Sequence, residues 1–327
     1  MKKTWMNLKS IGIVSIASAG MLASVPAFAQ STPHLPETIR IVVPFTPGGS
    51  NDVFARSIAE QLSKKINRSV IVENKPGAGG SIGSNDVARA KPDGGTLLLS
   101  SSSFVTRAAV DSKLPYDART SFEPVAMVAR GPMLLVTSTE VPYKTVPELI
   151  EAAKKGVVNY ASSGIGSVGQ LSAELLSYMA DIPLTHIPYK GMSGAVTDLM
   201  GGRIDIIITT PASLGGAMES GRIRQMAATT LETSSFFPDL PTVAQTVPDY
   251  SVEIFWGIYA PANTPKEIVD YFNKEIVEIT HTDHMKKVFA NEASEASAMT
   301  ADEYKSFVDA EITKWSKVAE VKSISLD

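Results

Sequence analysis

The sequence predicts an α/β fold in two lobes, with parallel or mixed sheets flanked by helices, and three observations carry that prediction. Apolar runs of strand length alternate with segments of helical period, the βαβ rhythm of a parallel sheet. The rhythm breaks off and restarts midway along the chain. The 327 residues, 44% hydrophobic and 20% charged, suffice for two cores of ordinary domain size.

The first series runs Ile39 to Phe45 as strand, a helix from about Asp52, Ser69 to Glu73 as strand, a short helix, and Thr96 to Ser100 as strand. Ala55, Ile58, Leu62 and Ile66 share one helical face, with Arg56, Glu60, Lys64 and Lys65 mostly elsewhere, so this helix is expected to lie on the sheet. The second series is a helix over Val146 to Lys155, a strand at Val157 to Tyr160, a helix from Gln170, a strand at Leu184 to Ile187, a helix near Ala195 to Met200 and a strand at Ile204 to Thr209. Thr145 with Glu148, Thr264 with Glu267, and Thr300 with Glu303 each read as a capping box that fixes a helix start. Leu114 to Glu123 and Ser234 to Tyr250, rich in Pro, Asp and Ser or Thr, read as linkers and candidate lobe boundaries.

Ahead of all this, Lys2, Lys3 and Lys9 precede an apolar run from Ile11 to Leu22 and the small-x-small triplet Ala27-Phe28-Ala29. Those are the parts of a secretory signal peptide over residues 1–29, cleaved after Ala29, and they predict a mature protein outside the cytoplasm. The run is shorter than the roughly 20 residues a membrane span needs. No later stretch is apolar enough, so no membrane insertion of the mature chain is expected. The sequence has no cysteine, which excludes disulfides, thiolate metal sites and a lipidated N-terminal Cys. A formal net charge of -4 argues against nucleic acid as a partner, since the phosphate backbone selects a basic face.

Three glycine-rich loops each follow a strand and open a helix: Pro47 to Asp52, Pro76 to Ser81, and Ser162 to Ser167. At such a junction the first-turn N–H groups lack helical partners and the helix dipole favours negative charge, so each loop is a candidate anion cradle. A hydrogen bond to a charged group contributes roughly 1.5 to 3 kcal/mol, against about 8 kcal/mol for micromolar affinity. Four or five donors therefore suffice. Asp52 would repel a carboxylate unless it folds back onto its own backbone as a cap.

Other chemistries fit less well. Gly164-Ile165-Gly166-Ser167-Val168-Gly169 spells the dinucleotide fingerprint, but the next strand ends in Ile187-Pro188-Tyr189-Lys190 without the acid that holds a ribose. Ser167 sits one glycine short of a nucleophile elbow, and His186 is the one histidine near a strand end, where its base would stand. His281 and His284 have a spacing that exposed surface histidines explain without a metal. Neither a cofactor nor a catalytic residue is expected.

The run Ile41 to Gly49 with Asp52 and Arg56, then Glu73 to Gly80, Pro92-Asp93-Gly94, His186 to Gly191, Asp198-Leu199, Gly202 to Asp205, Pro241-Thr242 and Trp256-Gly257 resembles the Bordetella uptake family. These are the extracytoplasmic solute receptors of tripartite tricarboxylate transporters, and the resemblance covers nearly the whole mature chain. It implies the periplasmic binding protein fold, with a ligand cleft between lobe 1 (30–130 plus 256–327) and lobe 2 (131–255). It implies a small organic carboxylate as ligand, integral membrane subunits of the transporter as partners, and no enzymatic activity. A monomer is expected. The carry-over places ligand contacts at Phe45, Gly48, Gly49, Asn51, Asp52, Ala78, Gly79 and Gly80, with Ser102 beside them. Ser163, Gly166, Ser167, Thr209 and Thr210 of the other lobe are expected to read the rest of the ligand. Gln170, Gly95 and the Thr209-Thr210 pair depart from the family pattern. Neutral hydroxyls at that pair favour a dicarboxylate, aromatic ones included, over an amino acid. The rival readings are a carboxylate receptor for a membrane sensor kinase and an exported hydrolase built on Ser167 or His186.

Overall fold

A computed structural model describes residues 33–326; the signal peptide expected over residues 1–29 lies outside them. The chain opens with β1 (Thr38–Val43), α1 (Ser50–Ile66), β2 (Ser69–Asn74), α2 (Ser81–Ala88), β3 (Thr96–Ser101), α3 (Ser103–Val110) and β4 (Phe122–Pro132). It continues through β5 (Leu134–Ser138), α4 (Val146–Lys155), β6 (Asn159–Ser162), α5 (Val168–Met179), β7 (Thr185–Pro188), α6 (Met192–Met200), β8 (Ile206–Thr209), the short α7 (Pro211–Leu214) and β9 (Ile223–Ala228). It ends with β10 (Glu253–Pro261), α8 (Lys266–Thr280), α9 (Asp283–Ala290), β11 (Glu295–Ala296) and α10 (Ala301–Val321).

Among the described residues these strands form two mixed sheets. The first has the order β11-β4-β10-β3-β1-β2, and the second β7-β6-β8-β5-β9. In the first, β1 pairs in parallel with both β2 and β3, while β10 runs antiparallel to β3 and β4. In the second, β6 pairs in parallel with β7 and β8, and β5 is antiparallel to β8 and β9. The chain passes between sheets from β4 to β5 and returns from β9 to β10, so Ser234 to Tyr250 spans the return. Leu114 to Glu123 instead joins α3 to β4 within the first sheet.

The central strand β1 buries Ile39, Ile41, Val42 and Val43, the near-continuous apolar run of a strand covered on both faces. Helix α1 turns Ala55, Ile58 and Leu62 into the core, joined by Phe54 and Ala59, and ends on Asn67 in the left-handed conformation. One large core runs from the first sheet onto one face of the second, around Trp315, Tyr160 and Tyr250. A smaller core, including Leu134, Ala161, Leu199 and Ile207, covers the other face of the second sheet.

Some boundaries shift for identifiable reasons. Val157 is 75% exposed and precedes β6, so its apolar character marks no strand. Helix α5 starts two residues before Gln170 because the Ser167 hydroxyl accepts the Gln170 N–H and takes the cap. Of the three capping boxes, only Thr300 with Glu303 is reciprocal. The Thr145 hydroxyl accepts the Glu148 N–H, but the Glu148 carboxylate accepts the Lys144 N–H at 2.6 Å. Thr264 caps nothing: Pro265 is the N-cap, and the Thr264 hydroxyl donates back to Pro261 O at 2.8 Å.

Candidate functional site

Because β2, β1 and β3 are adjacent and parallel, the loops that follow them open at one edge of the first sheet, the place where such sheets receive ligands. The first loop enters α1 through Gly49, an N-cap with no side chain to satisfy the first-turn N–H groups. A Cβ on Gly48 or Gly49 would meet no atom within 4 Å. The space beside these two glycines is open, while the Asp52 and Val53 N–H groups are taken by Gly49 O at 2.9 and 3.0 Å. Asp52, 5% exposed, folds back as a cap: its carboxylate accepts the Gly48 N–H at 3.0 Å, Arg56 Nε at 3.0 Å and Asn74 Nδ2 at 2.9 Å. Burial alone would push the Asp52 carboxyl up. The hydrogen bonds from Arg56, Asn74 and Gly48 outweigh it and hold the group below the usual carboxylate range. Its charge is thus spent inside the loop. The Gly48 N–H is spent with it, while Asn51 keeps a buried Oδ1 without a protein partner.

The second loop lies against the first. Asn74 Nδ2 also donates to Phe45 O at 3.1 Å, and the Phe45 ring stands 3.4 Å from where a Gly80 Cβ would project. Ala78, Gly79 and Gly80 carry φ values of 45°, 63° and 98°, three successive left-handed residues. For Ala78 this is a strained conformation, of the kind that a surrounding structure must impose. Ser102, just past β3, is 1% exposed, and its Oγ has no protein partner. On the rim of the first loop, burial pushes the Glu292 carboxyl up and a hydrogen bond with Ser50 pulls it back.

In the second sheet β7, β6 and β8 are parallel neighbours, and the loops after β6 and β8 share an edge. Here a side-chain network shapes the backbone. The Gly166 N–H donates to Gln170 Oε1 at 2.8 Å, which fixes the amide so that its Nε2 donates to His186 Nδ1 at 3.2 Å. His186 is then protonated at Nε2 and donates to Ser162 Oγ at 2.7 Å, and the Ser162 hydroxyl donates to Gly164 O at 3.1 Å. His186 stacks on Tyr160 with centroids 4.8 Å apart, and burial lowers its pKa to about 4. The imidazole is neutral and structural. At the end of β8, Thr209 is buried, and Thr210 caps α7 by accepting the Ser213 N–H at 3.3 Å.

The structure therefore groups Phe45, Gly48, Gly49, Asn51 and Asp52 with Ala78, Gly79 and Gly80, and sets Ser102 at the neighbouring strand end. It groups Ser163, Gly166 and Ser167 at the edge shared with Thr209 and Thr210. The third loop also reaches α3: a Cβ on Gly166 would stand 2.7 Å from Val110 Cγ2. No Ser167–His186 centre exists, because Ser167 caps α5 and His186 pairs with Ser162, a fully buried residue. Among the described residues, no cluster of three or more His, Cys, Asp or Glu is placed to hold a metal, and no helix is long and apolar enough to cross a membrane. Sequence reasoning missed Asn74, which ties two loops together, and the Gln170–His186–Ser162 chain. Their signal is tertiary; the one hint was Gln170 as a departure from the family pattern.

The family described as the tripartite tricarboxylate transporter family receptor matches residues 54–324. Among solved structures, the chain is similar to R. palustris Rpa4515 with adipate, at 32% identity over 89% of this chain and 99% of that one, with a TM-score of 0.75. It is similar to the periplasmic binding protein BugD, at 31% identity over 89% and 98%, with a TM-score of 0.72. It is also similar to MatC from Rhodopseudomonas palustris with bound malate, at 27% identity over 86% and 98%, with a TM-score of 0.71.

Proposed function

Since this chain belongs to the tripartite tricarboxylate transporter receptor family, whose members are solute-binding proteins with the two-lobed fold, we propose that it captures a dicarboxylate and presents it to the membrane subunits of a transporter. The observation that carries this reading is the first loop: a helix N-terminus that Gly49 opens without a capping side chain, with open space beside it and its only acid turned inward. The Rpa4515 and MatC structures hold adipate and malate, and both are dicarboxylates.

In this reading one carboxylate sits in the first two loops, against Phe45, Gly48, Gly49, Asn51, Asp52 and Ala78 to Gly80 with Ser102 beside it, held by those backbone N–H groups that the loops do not themselves use. Ser163, Gly166, Ser167, Thr209 and Thr210 contact the remainder once the lobes close. The lobes comprise residues 30–130 plus 256–327 and residues 131–255, and the leader is cleaved after Ala29 to release a periplasmic monomer. No bond of the ligand is made or broken, so binding is the whole activity. Closure follows because the second lobe gains its contacts only in the closed state.

A thermal-shift screen of residues 30–327 against malate, adipate, terephthalate, citrate and acidic amino acids tests this. A ligand at 100 times its Kd adds about 2.7 kcal/mol, so a rise in Tm confined to dicarboxylates is expected. A rise with acidic amino acids alone contradicts the substrate class; no rise with any acid contradicts the cradle.

A further inference from the structure

The three glycine loops contain no cation: residues 44–51, 77–81 and 163–167 carry neither Lys, Arg nor His. Any formal positive charge must come from neighbouring elements. Arg56 pairs with Asp52 and Asn74 through its Nε and Nη2, and it is not among the atoms that a Cβ on any glycine of the three loops would meet.

Helix α3 supplies another. Arg107 holds Asp111 one turn on, with Nε 2.8 Å and Nη2 2.6 Å from the same Oδ2, while Asp111 Oδ1 accepts the Lys113 N–H at 3.1 Å. That pairing uses one edge of the guanidinium and turns Nη1 onto the second loop, where a Cβ on Gly79 would collide with it. Gly79 is exposed, and the Arg107 side chain keeps 22% of its surface open. One turn further along, Val110 abuts Gly166 of the third loop. The helix thus spans loops from both sheets and carries a fixed cation between them.

We infer that Arg107, oriented by Asp111, is a specificity-determining residue that supplies the positive charge by which the second loop selects an anionic ligand. This rests on the carboxylate reading above. A guanidinium suits the role because it stays charged at all relevant pH and offers planar donors to a carboxylate. Its contact with Gly79 lets the charge act at the loop without a charged residue in the loop itself, where a longer side chain would obstruct the backbone.

The test is isothermal titration of adipate into the unaltered protein, Arg107→Met and Arg107→Lys at several salt concentrations. The expected result is at least a tenfold loss of affinity in Arg107→Met, recovery of most of it in Arg107→Lys, and a flatter salt dependence of Kd in Arg107→Met alone. A mere buttress for Gly79 would lower both variants alike and leave the salt slope unmoved, and that result overturns the assignment. So does unchanged affinity in Arg107→Met. If the unaltered protein binds no dicarboxylate, the carboxylate reading itself fails and this inference falls with it.

Discussion

Asp52 shows how an acid can sit in an anion site without opposing it. Its carboxylate is consumed by Gly48, Arg56 and Asn74 before any ligand arrives. Replacing it with Ala removes the buried carboxylate that these part-exposed donors share, at a cost of about 1–3 kcal/mol, and loosens the first loop; denaturant melts should show that loss together with weaker carboxylate binding. Because its pKa is lowered on folding, Asp52 contributes stability that is present above its ordinary value of about 3.9 and disappears as pH falls below it. Asp52→Asn should flatten the acid limb of the stability profile. His186 acts in a different window. Burial lowers its pKa from 6.5 to about 4, so its contribution is full above pH 6.5 and is lost as pH falls through that interval. A Tm series from pH 7 to 4 should decline, and less steeply in a variant lacking the imidazole.

The order and type of the elements were the most legible parts of the sequence, while most helix starts shift by a residue or more for local reasons. The repeated strand–helix rhythm gave the α/β class, and Val146–Lys155 emerges with the expected bounds. What periodicity could not supply was which hydroxyl caps which turn. Thr264 looks like a cap until Pro265, which has no N–H, takes the position. Thr300→Ala, which breaks the reciprocal box at α10, should cost about 1 kcal/mol in a thermal or denaturant melt. Gly169 was likewise invisible as a packing residue: a Cβ there would stand 2.6 Å from Ile208 O, so Gly169→Ala should push α5 off β8 and cost about 1–3 kcal/mol by the same measurement. The loops of the site were legible as glycine clusters. The side chains that set their shape, Asn74 and His186, were not, because each lies far along the chain from the backbone it shapes.

At the scale of the whole molecule, two sheets each present parallel strand ends with glycine-rich loops, and α3 reaches from one set towards the other. The chain crosses between sheets twice, through β4–β5 and β9–β10, an arrangement suited to hinge closure around a ligand. The function proposed for this site depends on the first loop holding a carboxylate through backbone donors. Isothermal titration of residues 30–327 with malate, adipate and terephthalate, repeated with the neutral diamide of any acid that binds, puts that to the test. Single-site binding at micromolar Kd or tighter, about 8 kcal/mol, is predicted for at least one diacid, with the diamide at least a hundredfold weaker. Equal binding of acid and diamide, or no binding of any of the three, would contradict the account.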